Sequence, residues 1–273
     1  MAAPDYVLGY SEQEQKRLLT QASILRGWTE RFFRAGGLRP GMRVLDLGCG
    51  MGDVSLLAAD LVGPSGSVLG VDRDAAALDR ARARVAQSAC ASYIDFRQIH
   101  LDDLPRGELF DAAVGRYVLL YQADPAATLR HVASLVKPGG RLIFHELDFG
   151  SAAPTWPDAP LWRKTYTMMG EAFRRGDNPP DFGKRLARTF LDAGLPWPTI
   201  QAEVPVGGEP GSYLYGWVAE TVRSLIPRIE QFGLATVEDL QIDTLAARME
   251  AEGVALGAQL IGPTQFGAWT IKP

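Results

Sequence analysis

The glycine-rich segment at residues 46–52 constrains the fold of this chain more than any other part of its sequence. It follows an apolar strand candidate at residues 42–47 and precedes a helix candidate that ends at Gly63-Pro64. Glycine permits unusual backbone dihedral angles, so this order of strand, turn and helix brings backbone N–H groups close to a ligand. The sequence therefore predicts a nucleotide-binding α/β unit in the first half of the chain.

Short apolar segments alternate with helix-like segments over the same half of the chain. The strand candidates are residues 42–47, 67–71, 93–99, 110–114 and 141–147. We expect the helix before the fifth of these strands to end at Pro138-Gly139-Gly140. Alternation with connections of this length is typical of a doubly wound, mainly parallel α/β sheet, whose ligand lies beyond the carboxyl ends of its strands.

The flanking regions are predicted to be mainly helical. Ser11 and Glu14 have the spacing of a capping box and predict a long helix before the first strand. The predicted parts are an N-terminal helical cap at residues 1–38, a core at 39–207 and 257–273, and a helical lid insertion at 208–256. Further candidates are a strand at residues 199–206 and a helix at residues 237–252.

Charge and composition argue against several classes of partner. The formal net charge of -4 provides no positive field for a long nucleic acid or an anionic membrane, so a small-molecule partner is expected. Two cysteines, Cys49 and Cys90, cannot form a disulfide framework, and the N-terminus lacks the pattern of a signal peptide, which favours a cytoplasmic protein. His100, His131 and His145 lack metal-binding spacing, so no metal site is expected. The sequence does not indicate an oligomeric state.

Acidic residues around the glycine segment narrow the choice of nucleotide. A dinucleotide fingerprint requires glycine where this chain has Asp53, whose carboxylate would lie near a pyrophosphate. A cofactor with positive groups and no phosphate tolerates both Asp46 and Asp53, although Asp53 has a second explanation as a cap of the next helix. Asp72 ends the second strand at the spacing of an acid that binds ribose hydroxyls. A nearby helix candidate carries alternating arginines that we expect to be exposed: Arg80, Arg82 and Arg84.

Four separated motifs occur in an order and on elements that are typical of one enzyme family. They are the segment from Val44 to Gly52, Gly70-Val71-Asp72, Phe110-Asp111 and Lys137-Pro138-Gly139-Gly140. Over residues 40–148 the chain thereby resembles the class I S-adenosylmethionine-dependent methyltransferases. The leader around Tyr6 and Gln21 is similar to the leader helix of a bacterial branch that methylates small molecules. The resemblance implies a seven-stranded Rossmann-like sheet and S-adenosylmethionine as cofactor.

The resemblance also implies which residues contact the cofactor. The glycine segment would pass the methionine moiety, Asp72 would bind the ribose and Arg73 would pack beside the adenine. The family usually has an acid after the third strand, where this chain has His100; a neutral His100 can accept one hydrogen bond, and Asp102 is the alternative. The full implied set is Tyr6, Gln21, Asp46, Gly48, Cys49, Gly50, Gly52, Asp72, Arg73, His100, Leu101, Asp102 and Arg116.

Three further members of this set, Arg116, Tyr6 and Gln21, also lie outside the motifs. Arg116 follows the fourth strand, where the family approaches the methionine end of the cofactor. Tyr6 and Gln21 of the leader are expected to close over the cofactor, while packing at the entry of the helix explains Tyr6 equally well.

His145 and Glu146 at the end of the fifth strand are the candidates for general base and substrate anchor. A structural role for a partly buried His145 is the alternative. Aromatic and methionine side chains either line an apolar substrate pocket or form core: Tyr117, Tyr121, Trp162, Met168, Met169, Tyr213, Tyr215 and Trp217. The predicted reaction is methyl transfer to oxygen, nitrogen or carbon of a small, partly apolar metabolite. The alternatives are an NAD-dependent oxidoreductase and a non-catalytic cofactor-binding protein of the same fold.

Overall fold

The computed structural model describes residues 12–105, 107, 109–150 and 155–273. The chain divides into two compact units, each assembled from three separate segments. Unit 1 comprises the described residues of Met1–Ile24, Leu147–Gly183 and Glu203–Gln265, and unit 2 comprises Leu25–Glu146, Lys184–Ala202 and Phe266–Pro273. The boundaries of these units differ from those predicted for the cap, the core and the insertion. The division into those three parts stays a prediction.

The secondary structure consists of ten strands and nine α-helices in the described residues. The strands are β1 Arg43–Leu47, β2 Ser67–Asp72, β3 Ile94–Gln98, β4 Phe110–Arg116, β5 Val136–Asp148, β6 Thr155–Trp156, β7 Thr199–Glu203, β8 Val206–Gly207, β9 Gln259–Ile261 and β10 Thr264–Ile271. The helices are α1 Glu12–Ala35, α2 Asp53–Val62, α3 Ala75–Val85, α4 Pro125–Ser134, α5 Pro160–Arg175, α6 Leu186–Asp192, α7 Tyr213–Gln231, α8 Val237–Leu240 and α9 Ile242–Leu256. No helix in this part of the chain has both the length and the apolar composition that are needed to cross a bilayer.

The main sheet has seven strands in the order β3-β2-β1-β4-β5-β10-β7. The pairs β1–β2, β2–β3, β1–β4 and β4–β5 are parallel, with Val44 opposite both Val68 and Ala112. Nearly every residue of β1 and β2 is buried, because helices cover both faces of a sheet of this kind. The prediction of a doubly wound, mainly parallel seven-stranded sheet is confirmed.

Capping side chains fix the beginnings of two helices in unit 2, α3 and α4. Asp74 accepts a hydrogen bond from the Ala76 backbone N–H at 2.9 Å and begins α3, and Asp124 does the same for Ala127 at the start of α4. Pro125 occupies the first helical position of α4, where its missing N–H costs nothing. Because β2 and β4 both run parallel to β1, the connections that follow them lie at the same carboxyl edge of the sheet.

The prediction that the helix before β5 ends at Pro138-Gly139-Gly140 is wrong. Helix α4 ends at Ser134, and the three residues form a bulge inside β5, between the pairs Phe110–Val136 and Ala112–Arg141. The bulge is held by the Gly139 N–H, which donates to the Lys272 carbonyl oxygen at 2.8 Å. Gly139 has a φ of 77°, which only glycine adopts without strain, so the Gly-Gly pair serves the bulge and not a helix end.

Unit 1 contains a second sheet that the sequence patterns do not predict. It has three strands in the order β6-β9-β8, and both of its strand pairs are antiparallel. The single strand predicted at residues 199–206 is therefore two strands, one in each sheet. The helix predicted at residues 237–252 is also divided, because Gln241 takes the left-handed conformation with a φ of 44° between α8 and α9.

Candidate functional site

The glycine turn between β1 and α2 adopts backbone conformations that favour glycine. Gly48, Gly50 and Gly52 have φ values of 57°, 50° and 79°. A Cβ atom on Gly52 would lie 3.1 Å from the Phe96 ring and 3.2 Å from the Ala81 Cβ, so this glycine allows α3 and β3 to pack closely. A Cβ atom on Gly50 would meet nothing within 4 Å, so this side of the turn faces open space. The turn is therefore open to a ligand at Gly50 and packed against protein at Gly52.

Asp72, at the carboxyl end of β2, holds this turn in place. Its Oδ2 atom accepts a hydrogen bond from the Gly50 N–H at 2.8 Å, and its Oδ1 atom accepts one from the Asp74 N–H at 2.9 Å. Each carboxylate oxygen can accept a second hydrogen bond. Asp72 is half-buried, and its two oxygens have the acceptor capacity for a ribose diol beside the turn.

Asp46 is a fully buried acid in β1 at the start of the turn. Its Oδ2 atom accepts a hydrogen bond from the Ser55 hydroxyl at 2.6 Å, while its Oδ1 atom is buried without a partner in the described structure. Burial raises the pKa of Asp46 to about 7, against the opposing influence of the Ser55 hydrogen bond and the Arg116 charge. An unpartnered buried carboxylate oxygen fits a cationic group of a ligand.

Cys49 is buried inside the turn and has no features of a nucleophile. Its N–H donates to the Val71 carbonyl oxygen at 3.0 Å, which ties the turn to β2. Burial raises the pKa of the Cys49 thiol well above its usual value, so the reactive thiolate is disfavoured. The residue serves the turn through its small size.

Asp53 does not cap α2, because the cap position belongs to Gly52. Its Oδ1 atom lies 2.7 Å from Arg84 Nη2 on α3, and Arg84 Nη1 donates to the Met51 carbonyl oxygen at 2.6 Å. The prediction of an exposed arginine face on α3 is therefore wrong for Arg84, which joins that helix to the glycine turn.

The residues predicted at the adenine end follow β3 and β2. His100 Nδ1 accepts a hydrogen bond from the Asp102 N–H at 3.4 Å and so begins the short 3-10 helix Leu101–Asp103. Leu101 is buried, whereas Asp102 and Arg73 are exposed. One ring nitrogen of His100 is therefore occupied by this local hydrogen bond, and a contact of His100 or Asp102 with the adenine stays a prediction.

The end of β4 and the residues after it, 116–121, form a corner that contacts the glycine turn. A Cβ atom on Gly48 would lie 3.0 Å from Val118 Cγ2, so the absent side chain of Gly48 makes room for Val118. Tyr117 adopts a φ of 57°, a left-handed conformation that is strained for a residue with a Cβ atom. The Tyr117 N–H donates to the His145 carbonyl oxygen at 2.8 Å. We refer to residues 116–121 as the β4 corner.

His145 and Glu146 lie at the end of β5, and both are fully buried. His145 Nδ1 lies 2.9 Å from the Thr29 hydroxyl of α1, and its ring packs edge-on against Phe32 and Tyr117. Glu146 Oε1 accepts hydrogen bonds from the N–H groups of Val118 and Leu119 at 3.0 and 2.8 Å. Their roles as base and substrate anchor stay predictions.

Arg116, the last residue of β4, approaches the same cluster. Its Nη1 atom donates to the Thr29 hydroxyl oxygen at 3.4 Å, and its positive charge acts on Asp46 and Asp53. Neither Thr29 nor Ser55 belongs to the predicted site, because nothing in the local sequence separates these two hydroxyls from other serines and threonines.

The predicted leader contacts have different outcomes. Tyr6 lies outside the described residues. Gln21 is buried in unit 1, where its Oε1 atom accepts hydrogen bonds from Arg17 Nη1 at 2.6 Å and Trp217 Nε1 at 3.3 Å. Trp162 and Tyr215 are also buried in unit 1, with ring centroids 6.3 Å apart, so these two belong to its core. The contact of Gln21 with a cofactor stays a prediction.

These residues together match the groups of S-adenosylmethionine. The unpartnered Oδ1 atom of Asp46 suits the ammonium, Arg116 suits the carboxylate, and Asp72 suits the ribose diol. The open side of Gly50 leaves room for the chain that connects them. The glycine turn and its neighbours therefore fit this cofactor.

Comparison with known proteins gives one family and many relatives. The family described as "Methyltransferase domain" matches residues 38–177, which is just over half of the chain. A protein of Streptomyces fradiae described as "Uncharacterized 37.1 kDa protein in transposon TN4556" is 34% identical over 200 residues, 73% of this chain and 54% of that protein. The 2-phytyl-1,4-naphtoquinone methyltransferase of Synechococcus elongatus is 39% identical over 145 residues, 51% of this chain and 62% of that enzyme. The chain thus spans less than two thirds of the length of both relatives.

Solved structures share the fold over almost the whole chain. The cyclopropane-fatty-acyl-phospholipid synthase-like protein of Lactobacillus casei superposes with a TM-score of 0.59 and 19% identity, covering 97% of this chain and 98% of that one. At this identity the likeness establishes the fold alone.

Proposed function

The chain belongs to the class I S-adenosylmethionine-dependent methyltransferases, and on that premise we propose that it methylates a small, partly apolar metabolite on oxygen, nitrogen or carbon. The observation that carries the proposal is the glycine turn pinned to Asp72, with open space beside Gly50. The same family match argues against the NAD-dependent oxidoreductase.

The residues that would hold the cofactor lie in unit 2, at the carboxyl edge of the sheet. Asp72 would bind the ribose, Asp46 the ammonium and Arg116 the carboxylate of the methionine moiety. When bound, the cofactor supplies an electrophilic methyl group on a sulfonium centre. The turn needs no phosphate-binding features for this ligand, in agreement with the acidic residues around it.

A partly apolar acceptor is supported by two observations. The Synechococcus relative is named for a naphthoquinone that carries a phytyl chain, an acceptor of this general class. In this chain Tyr117 and Tyr121, both half-buried, lie in the β4 corner beside the glycine turn. Half-exposed aromatic rings at this edge suit stacking against an unsaturated ring.

The protein's contribution to the reaction is mainly positioning and exclusion of water. Methyl transfer disperses the positive charge of the sulfonium, so a dry and well-aligned site supplies much of the rate. A general base is required only if the acceptor must lose a proton. His145 stays the candidate for that role, and its ring is oriented by the Thr29 hydroxyl.

Titration calorimetry with S-adenosylhomocysteine tests the cofactor assignment, with NAD as the control ligand. We expect binding of the first and none of the second. Mass spectrometry after incubation with S-adenosylmethionine then tests the acceptor, with reduced 2-substituted 1,4-naphthoquinones compared with glycine. Methylation of glycine alone would contradict the acceptor class. Tight cofactor binding without transfer to any of a broad panel of metabolites would favour the non-catalytic alternative.

A further inference from the structure

We propose that Glu146 is a positioning residue for the cofactor, which holds the backbone of Val118 and Leu119 so that Val118 closes against Gly48. The inference rests on the proposed function, because it concerns the same glycine turn. It gives Glu146 a task other than proton transfer to or from the acceptor.

The first step of the argument is the pair of hydrogen bonds that one carboxyl oxygen accepts. Glu146 Oε1 receives the N–H groups of Val118 and Leu119, which begin the short 3-10 helix Leu119–Tyr121. N–H groups in the first turn of a helix have no partner within it, and an acid from another strand satisfies them here. Both donors and the acceptor are buried, so water cannot replace this bond.

The second step is the contact between the β4 corner and the glycine turn. The Val118 side chain lies between two positions without side chains, since Cβ atoms on Gly48 and Gly115 would lie 3.0 and 3.5 Å from Val118 Cγ2. Val118 is buried, and packing this close transmits small displacements. A shift of the Val118 backbone therefore moves the turn that faces the cofactor.

The third step is the strain that the corner carries. Tyr117 precedes Val118 in the left-handed conformation with a φ of 57°, and such a conformation persists only where its surroundings hold it. On one side the His145 carbonyl oxygen accepts the Tyr117 N–H, and on the other Glu146 accepts the next two N–H groups. Removing the carboxyl releases the corner from the anchor that Glu146 provides.

The test compares Glu146→Ala with Asp111→Ala as a matched control. Asp111 also accepts a backbone N–H with its carboxylate, that of Arg43 at 2.8 Å, but at the opposite end of β4. We expect Glu146→Ala to raise the Kd for S-adenosylhomocysteine about tenfold, equivalent to 1.4 kcal/mol, and Asp111→Ala to leave it unchanged. Hydrogen exchange of the Val118 and Leu119 amides should accelerate in Glu146→Ala only.

Two further variants keep the test decisive if Glu146→Ala does not fold. Glu146→Gln retains an oxygen that accepts both N–H groups, so its Kd should stay close to the wild-type value. Val118→Ala keeps the backbone bonds and removes the packing against Gly48, so its Kd should rise. An unchanged Kd in Val118→Ala, or equal losses in Glu146→Gln and Glu146→Ala, would overturn the inference.

A failure of the proposed function can be distinguished from a failure of this inference. If the wild-type protein does not bind S-adenosylhomocysteine, the cofactor assignment is wrong, and this inference is overturned with it. If the wild type binds while Glu146→Ala and Asp111→Ala bind equally well, only the positioning role of Glu146 is overturned.

Discussion

Arg84 on α3 contacts both the glycine turn and the first residue of α2, with one guanidinium nitrogen 2.6 Å from the Met51 carbonyl oxygen and the other 2.7 Å from the Asp53 carboxylate. A single side chain therefore neutralises the acid that distinguishes this turn from a dinucleotide fingerprint. The acid is compatible with the fold because its charge is paired.

Arg84→Ala is expected to lower the free energy of unfolding by about 1 kcal/mol, a value reduced by partial exposure of the ion pair to solvent. Urea denaturation measures this change. Arg80→Ala is the control, because Arg80 is an exposed arginine of the same helix, and its effect should stay within about 0.5 kcal/mol. Equal effects of the two substitutions would refute the specific role of Arg84.

Asp72→Ala should weaken binding of S-adenosylhomocysteine about 100-fold or more. The substitution removes the acceptor for the Gly50 N–H and the proposed acceptor for the ribose, and each bond to a charged group contributes about 1.5–3 kcal/mol. Asp74→Ala is the control at the neighbouring acid, whose loss removes only the cap of α3. Calorimetry measures the Kd of both variants. A wild-type Kd in Asp72→Ala would contradict the assignment of Asp72 to the ribose.

Gly50→Ala and Gly257→Ala form a matched pair for the open side of the turn. Both glycines are left-handed, with φ values of 50° and 60°, and a Cβ atom at either meets nothing within 4 Å. Each substitution should therefore destabilise the protein by about 1 kcal/mol. Only Gly50→Ala should also weaken S-adenosylhomocysteine binding, because its methyl group occupies the space assigned to the ligand. Equal affinities in the two variants would argue against that space as the cofactor position.

The buried acid Asp46 makes the folded protein less stable as the pH rises, because its pKa is higher in the folded than in the unfolded state. Burial raises its pKa in the folded protein from 3.8 to about 7, so between pH ~4 and ~7 the folded state binds more protons than the unfolded state. The contribution of this group to the free energy of unfolding is fully present below pH ~4 and falls by about 4 kcal/mol as pH rises through that window. Asp46→Asn should therefore gain stability over the wild type from pH 4 to pH 8, while its affinity for the cofactor falls.

Asp111→Asn provides a control of the opposite sign for that series. Burial of Asp111 raises its pKa, but the Arg43 N–H and Lys137 outweigh burial, so the pKa lies below its usual value. Its contribution is present above the unfolded pKa and is lost as the pH falls. Between pH 4 and pH 8 the urea midpoint of Asp46→Asn should rise relative to the wild type, whereas that of Asp111→Asn should stay below the wild type by a constant amount and approach it only below pH ~4. A constant offset of Asp46→Asn across pH 4 to 8 would disprove the raised pKa of Asp46.

The main sheet and the centre of the site follow from local sequence patterns. Apolar strand segments separated by crossover helices identify β1 to β5, and the glycines of the turn identify its left-handed positions. Asp72 is recognisable as a candidate because a ribose-binding acid is expected at a set distance along the chain from the glycine turn. In each case the signal lies within one βαβ unit.

Features that depend on distant residues are absent from those patterns. The bulge at Gly139-Gly140 requires Lys272 as its partner, and the partners of Glu146 are backbone groups of the β4 corner, which no side-chain pattern encodes. Strands β6 and β8 have two residues each and pair with β9, which lies far away along the chain. Such short strands carry too few residues for a periodic signal.

The position of β10 has a consequence for synthesis of the protein. Although β10 follows all other described strands in the chain, it lies between β5 and β7 in the sheet. On the ribosome, β7 emerges before its neighbour β10. The residues between Glu203 and Thr264 must be translated before β10 can pair with it. Until then β5 and β7 both present unpaired edges, which are open to association with other nascent chains. A strain that depletes the chaperones binding to nascent chains should therefore lose this protein to aggregation during translation, before its completed form is affected.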